Sequence, residues 1–153
     1  MIVVIGAGII GLYSAYELLL QGKNVTVFDA TNIKGVSTNA AVGMLAPLIE
    51  ARPKENDLFK LMLDSKAIWD DFLDDYSKAK RDIALKNNSS LMIAMNEDDM
   101  ERIKFKKVFF KKLGFNSQLL TAEETLIREP SLNSNLVGSL LCENHNQVEP
   151  KIL

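Results

Sequence analysis

The chain has 153 residues, 47% of them hydrophobic and 25% charged, enough for about one globular domain with a sizeable core. A net charge of −2 gives no reason to expect nucleic acid or an acidic surface as a partner. Cys142 is the single cysteine, which excludes an internal disulfide and a cysteine-built zinc or iron–sulfur centre; no apolar stretch approaches the roughly 20 residues of a membrane span.

Ile2-Val3-Val4-Ile5 opens the chain. Four consecutive branched apolar residues predict a strand buried on both faces. Its start at residue 2 leaves no room for a charged leader, so a cytoplasmic location is expected. Gly6-Ala7-Gly8-Ile9-Ile10-Gly11 follows and matches G-x-G-x-x-G. Leu12, Ala15, Tyr16 and Leu19 then recur at the spacing of an amphipathic helix running to Gln21, and Gly22 stands where a helix C-terminal glycine belongs. Val25, Val27 and Phe28 read as a second strand, closed by Asp29.

This βαβ pattern has a physical logic. Gly6 permits the sharp turn out of the strand, Gly8 lets backbone approach a pyrophosphate, and Gly11 lets helix and strand pack closely. The uncommitted N–H groups at the helix start favour phosphate charge, and Asp29 at the strand tip can accept from ribose hydroxyls. The competing reading is a glycine-rich turn in an unrelated α/β protein. Strand, helix and acid all fall where a dinucleotide needs them, which favours dinucleotide binding.

A polar loop with Gly35 covers residues 31–36. Small residues then run from Ser37 to Pro47, where Ser37 or Thr38 can cap a short helical turn and Pro47 is expected to end regular structure. A long helix is predicted from Asp57, with Leu58, Leu61, Met62, Ile68, Trp69, Phe72, Leu73 and Tyr76 on one stripe. Lys78, Lys80 and Arg81 suit its C-terminal end. Trp69, lying on that stripe, reads as a core anchor rather than a flavin-stacking residue.

Asn87-Asn88-Ser89 reads as a turn and residues 91–95 as a strand. Asn96 is a natural N-cap before Glu97, Asp98 and Asp99. The helix it opens carries Met100, Ile103, Phe110 and Leu113 and stops near Gly114. Lys104, Lys106, Lys107, Lys111 and Lys112 form a solvated face rather than a nucleic-acid patch, since the chain is acidic overall and no aromatics interleave. Thr121-Ala122-Glu123-Glu124 is a capping-box pattern, and its helix must end by Glu129 because Pro130 follows. Residues 136–142 read as a strand in which Cys142 is a small buried apolar residue. His145, with Glu143 nearby, is expected in a loop, and no set of metal ligands is found.

A nicotinamide-binding fold normally follows its second strand quickly with another helix and a parallel strand. Here a small-residue segment follows, whose backbone can lie against a large flat ring, and this spacing favours FAD. Three stretches then resemble the D-amino acid oxidase family of flavoproteins, most of all its glycine oxidase branch of thiamine biosynthesis. They are residues 3–11 with Phe28-Asp29, the segment Ser37-Thr38-Asn39-Ala40-Ala41-Val42-Gly43-Met44-Leu45-Ala46-Pro47, and Glu129-Pro130 followed by Gln147-Val148-Glu149-Pro150.

The resemblance implies a Rossmann-like, FAD-binding βαβ unit followed by part of an α+β substrate domain, an incomplete doubly wound α/β fold. It implies that backbone at Gly8, Ile9, Ile10 and Gly11 faces the pyrophosphate, with Gly6 at the turn counted among the cofactor-binding residues. Asp29 would hold the adenosine ribose with Ala30 beside it; many family members carry Glu there. Ser37 and Thr38 would reach phosphate or ribityl oxygens, a role that can coexist with helix capping. Val42, Gly43 and Met44 would lie near the isoalloxazine ring. The implied divisions are an FAD-binding segment at 1–50, a helical segment at 51–86, a partial substrate domain at 87–145 and a return towards the FAD domain at 146–153.

The reaction implied is oxidation of the C–N bond of a small amino acid or amine. No catalytic residue is assigned: the family clamps its substrate carboxylate with a cation, usually Arg, whereas Arg52, Arg81, Arg102 and Arg128 read as surface residues. Family chains continue well beyond this point, so a separately encoded C-terminal half is an expected partner, and an exposed apolar sheet edge should make this portion aggregate without it. The remaining alternatives are an NAD(P)-dependent reductase subunit and a non-catalytic nucleotide-binding remnant.

Overall fold

A computed structural model describes residues 1–30, 37–78 and 86–150. The predicted loop at 31–36, the helix-end cations Lys80 and Arg81, and residues 151–153 lie outside the described residues. Contacts divide the chain into two units, Met1–Gly43 with Glu149–Leu153, and Met44–Val148.

The first unit is the predicted strand–helix–strand. Strand β1 (Ile2–Ile5) pairs in parallel with β2 (Val25–Phe28), Ile2 opposite Val25 and Ile5 opposite Phe28. Helix α1 (Ile9–Leu20) connects them. It ends in a Schellman motif: Gly22, at φ +72°, donates to the Leu19 carbonyl at 2.9 Å, and Lys23 donates to that of Leu18 at 3.0 Å. A left-handed residue satisfies the last carbonyls, and glycine adopts it without a Cβ penalty. A four-residue helix, α2 (Ser37–Ala40), completes the described part.

Burial in this unit departs from the sequence reading. Ile5 is 87% exposed and Val3 and Phe28 are also exposed, so β1 is not covered on both faces. Along α1 only Ala15 of the predicted stripe is buried, whereas Leu12, Tyr16 and Leu19 are exposed. A parallel strand pair reaches full burial only when helices cover both faces; here one helix serves two strands among the described residues.

The second unit is α+β. It contains β3 (Met44–Leu45), α3 (Pro47–Glu50), α4 (Asn56–Lys78), β4 (Lys86–Ala94), α5 (Glu97–Lys112), β5 (Ser117–Thr121), α6 (Ala122–Arg128) and β6 (Gly138–Gln147). Strand β6 is the hub. It pairs antiparallel with β4 along its length, and on its other side with β5 over 138–142 and with β3 at Asn146 and Gln147. Leu48, Ala51, Phe59, Ala94, Met100, Ile103, Phe110, Leu140 and Cys142 form the core beneath it. Complete burial of Phe110 and Leu140 contributes about 1.5–3 kcal/mol each.

Local signals held where side chain meets backbone. Asn96 Oδ1 accepts from the Asp99 N–H at 2.9 Å and caps α5. Thr121 and Glu124 form the reciprocal capping box of α6, at 3.2 and 2.8 Å. Gly114, at φ +86°, follows the end of α5.

Other expectations are corrected. Pro47 starts α3 rather than ending regular structure, because its fixed φ and missing N–H suit a first helical position. Asn87, Asn88 and Ser89 lie in β4, whose register shifts between Asn88 and Ser90. Strand β5, at Ser117–Thr121, has no counterpart among the elements predicted from sequence. His145 lies in β6, not in a loop, and is 4% exposed. Helix α4 buries Phe59 and packs Met62 and Leu63 on the core, leaving Leu58, Leu61 and Ile68 of the predicted stripe exposed. Lys106 is not on a solvated face: its Nζ donates to the Ile49 carbonyl at 2.9 Å and lies 5.9 Å from the Phe110 ring centroid.

Candidate functional site

The corner between β1 and α1 gathers several of the sequence-predicted residues. Gly6 leaves the strand at φ +106°, a conformation glycine adopts freely. Gly11 is the third residue of α1, and a Cβ there would lie 1.9 Å from the Gly6 carbonyl oxygen. Helix and turn therefore touch backbone to backbone. Gly8, the N-cap residue, provides no side-chain cap, so the first N–H groups of the helix, at Ile9, Ile10 and Gly11, have no intrahelical acceptor and present partial positive charge.

Two polar side chains reach this corner. Asp29, at the tip of β2, accepts a hydrogen bond from the Ala7 N–H through Oδ2. The carboxylate is exposed, and its remaining lone pairs suit a pair of sugar hydroxyls. Thr38, on α2, receives the Ile9 N–H on its hydroxyl oxygen at 3.4 Å. The long distance marks a weak bond that an anionic oxygen would displace or share. An adenine dinucleotide needs a concave run of amides for phosphate and a carboxylate one strand over for ribose, and these residues fit that need.

The other predicted contacts are more scattered. Ala30 and Ser37 are exposed beside Asp29 and Thr38 in sequence, Val42 is exposed, and Gly43 has φ +71°. Met44 opens the second unit. There it lines a cleft of about 400 Å³ with Pro47, Met62, Lys66 and Trp69. Trp69 is half-buried on this wall and edge-on to Phe72, with ring centroids 5.5 Å apart, and is absent from the core cluster expected to hold it.

Among the described residues no cluster of three or more His, Cys, Asp and Glu could hold a metal ion. Cys142 is fully buried, and desolvation pushes its thiol up to about 11, so it is not a nucleophile. Arg52, Arg102 and Arg128 are exposed, and Arg81 lies outside the described residues. No helix among the described residues is long and apolar enough to cross a membrane.

Known proteins resemble this chain in sequence and in fold. The glycine oxidase of Bacillus subtilis (strain 168) is 28% identical over 149 residues, covering 97% of this chain and 39% of that protein. The crystal structure of glycine oxidase from Geobacillus kaustophilus superposes with a TM-score of 0.87 at 25% identity, covering 99% of this chain and 41% of its own. The dithionite-reduced L-α-glycerophosphate oxidase from Mycoplasma pneumoniae, with FAD bound, gives a TM-score of 0.73 at 26% identity, covering 97% of this chain and 38% of its own. The chain thus spans about two fifths of the length of these relatives. Residues 1–153 match the FAD dependent oxidoreductase family, DAO, and the chain belongs to that family.

Proposed function

We propose that this chain supplies the nucleotide-binding portion of an FAD-dependent oxidase that acts on the C–N bond of a small amino acid or amine, in the manner of glycine oxidase. The observation that carries it is the corner where the Asp29 carboxylate, the Thr38 hydroxyl and the opening amides of α1 converge on a glycine-only turn. The amides of Ile9, Ile10 and Gly11 bind the pyrophosphate charge, with Gly6 and Gly8 keeping the surface bare. Asp29 holds the adenosine ribose beside Ala30, and Ser37 and Thr38 take phosphate or ribityl oxygens. Val42, Gly43 and Met44 lie against the flavin ring.

FAD, when bound, would supply the hydride acceptor for oxidation at the amine-bearing carbon. This chain's part is to fix the cofactor's position and charge environment. The first unit serves as the FAD-binding segment and the second as part of the substrate domain. Catalysis requires a region corresponding to the remaining three fifths of the relatives, including the cation that clamps a substrate carboxylate. The exposed Val3, Ile5 and Phe28 support this, since a parallel strand pair with bare faces is completed by further strands and helices. A reducing cytoplasm suits the free, buried Cys142.

The likeness to a glycerophosphate oxidase at 26% identity, close to the 25% and 28% of the glycine oxidases, favours one second reading, oxidation of a C–O bond in a polyol phosphate. The deciding experiment expresses the chain alone and together with the reading frame that follows it, then measures flavin absorbance and hydrogen peroxide release with glycine, sarcosine and glycerol 3-phosphate. The expected result is FAD retention and amine-dependent peroxide only in the co-expressed sample. Turnover by the chain alone would refute the need for a second portion. A colourless co-expressed complex that fails to take up added FAD would refute the cofactor site.

A further inference from the structure

His145 is the sole histidine of the chain, and the flavin reading has no use for it. It is 4% exposed. Its Nδ1 lies 2.7 Å from Ser90 Oγ, and its Nε2 is buried with no hydrogen-bond partner. A neutral ring fits this setting whichever nitrogen holds the proton. A charged ring does not: both nitrogens then carry N–H, the one at Nε2 has no acceptor, and burial penalises the charge.

The surroundings do not offset that penalty. Helix α3 and the segment before β5 bring only uncharged residues to the ring's cleft, Leu48 and Phe115 among them; the charged groups there are Lys66 from α4 and Glu143 from β6 itself. Asp70 is already committed, to Lys66 at 2.7 Å and to the Asn146 amide at 2.7 Å. Glu143 is exposed to water, which screens its pull. Burial first and Lys66 second hold the imidazole below its ordinary value of 6.5. The sheet at this point is divided. Over 138–142, β6 has β4 on one side and β5 on the other, and Leu140, Leu141 and Cys142 are buried. Over 145–147 it is flanked by residues 86–88 of β4, beginning with Lys86 opposite Gln147, and by the two-residue strand β3, with Leu45 opposite Asn146 and Met44 opposite Gln147. The β4 register shifts between Asn88 and Ser90, a break that interrupts the ladder. His145, opposite Asn88, stands outside the break; Ser90, which meets its ring, stands inside it.

We propose that protonation of His145 releases this outer end of the sheet: residues 145–147 part from 86–88 and from β3, freeing Met44 and Leu45, while the 138–142 ladder stays closed. Opening brings the charged ring to water. It costs little, because Glu143-Asn144-His145-Asn146-Gln147 contains no apolar residue, and stretches with few buried apolar contacts are those that open locally. The flavin reading sets Met44 against the cofactor ring, so acid would also loosen FAD. That consequence rests on the flavin reading; the release of β3 does not.

Hydrogen-exchange mass spectrometry of the co-expressed sample, with and without FAD, reads the opening between about pH 7.5 and about pH 5. After correction for the intrinsic pH dependence of exchange, residues 44–45, 86–88 and 145–147 should exchange faster as the pH falls below about 6.5, by up to about tenfold per pH unit, the slope of one proton. Residues 90–94 and 138–142 should not. His145→Gln, which keeps a polar side chain without the charge, should show no such slope. Where that variant fails to fold, the onset in the unsubstituted chain decides, since carboxylates titrate near about pH 4 and leave exchange flat through the range where imidazole titrates. Faster exchange that spreads over 138–142, a flat profile down to about pH 5, or a slope that survives in His145→Gln overturns the proposal. The two readings fail separately: opening in a sample that retains no FAD at neutral pH refutes the flavin reading alone, and FAD retention with a flat profile refutes the release of β3 alone.

Discussion

Replacing Gly11 and Gly8 by alanine separates two jobs that the glycine motif performs. A Cβ on Gly11 would lie 1.9 Å from the Gly6 carbonyl oxygen, 3.0 Å from its carbon and 3.4 Å from Val4 Cγ1. Real Cβ contacts essentially never fall under 3.0 Å, so α1 must retreat about 1.1 Å from the turn, and both nearest partners are backbone atoms that cannot swing aside. Overpacking of this kind costs about 1–3 kcal/mol or more, and the better helix propensity of alanine returns about 1 kcal/mol. A 1.9 Å contact with backbone puts the cost at the upper end of that range, so the expected net loss is about 2 kcal/mol, which should speed amide exchange in residues 2–28 by about thirtyfold. Gly8 differs. It has φ −73° and ψ 174°, open to any residue, and its added Cβ meets only Thr38 Oγ1 at an ordinary 3.7 Å. Gly8→Ala should therefore change exchange little, because the about 0.4–1 kcal/mol that such a substitution gains through the unfolded chain is offset by the loss of a favoured N-cap residue, yet weaken FAD binding because a methyl stands where the proposed site brings a phosphate. Hydrogen-exchange mass spectrometry and quenching of flavin fluorescence, both on the co-expressed complex, read the two effects. Unchanged exchange in Gly11→Ala, or FAD affinity preserved in Gly8→Ala, would refute the reasoning.

Three further outcomes are expected. Thr125 donates to the Thr121 carbonyl at 2.7 Å and lies 2.8 Å from Ser139 Oγ, both residues being fully buried; Thr125→Val should cost about 1–3 kcal/mol by stranding the Ser139 hydroxyl, and adding Ser139→Ala should recover part of it, as read by urea midpoints. His145 is held below the unfolded value of 6.5 by burial first and Lys66 second, so the unfolded chain binds more protons in that range; stability should be whole above about pH 6.5 and fall as the pH drops through the folded value, a slope that His145→Gln should remove. Cys142, fully buried with its thiol pushed up to about 11, should react with a thiol reagent only at the rate of opening or unfolding, and stoichiometric labelling in native buffer would contradict its burial.

The parts of this molecule that could be read from sequence are those whose partners lie within a few residues. Asn96 needs only Asp99, Thr121 only Glu124, and Gly22 only the two preceding turns of α1, so their chemistry is written locally. The corner between β1 and α1 is nearly as local: a strand, a helix and a strand within thirty residues fix where Asp29 meets Ala7. The misreadings share the opposite cause. Asn87, Asn88 and Ser89 look like a turn because amide and hydroxyl side chains compete with a ladder, but β6, nearly sixty residues away, pairs with Asn87 and Asn88 and wins. Proline punctuates either end of a helix, and nothing near Pro47 says which end until α3 is seen to pack against the core through Leu48. On α4 the apolar residues cover more than one face, so periodicity alone places the stripe through Leu58, Leu61 and Met62, whereas the surface that α4 meets keeps Met62 and adds Phe59 and Leu63. His145 is the extreme case. Its setting needs Ser90 from one strand, Lys66 from a helix and Phe115 from the connection after another, none of them its neighbour in sequence. A short polar run, Glu143-Asn144-His145-Asn146-Gln147, therefore reads as loop in isolation and becomes the middle of a sheet once β4 flanks it.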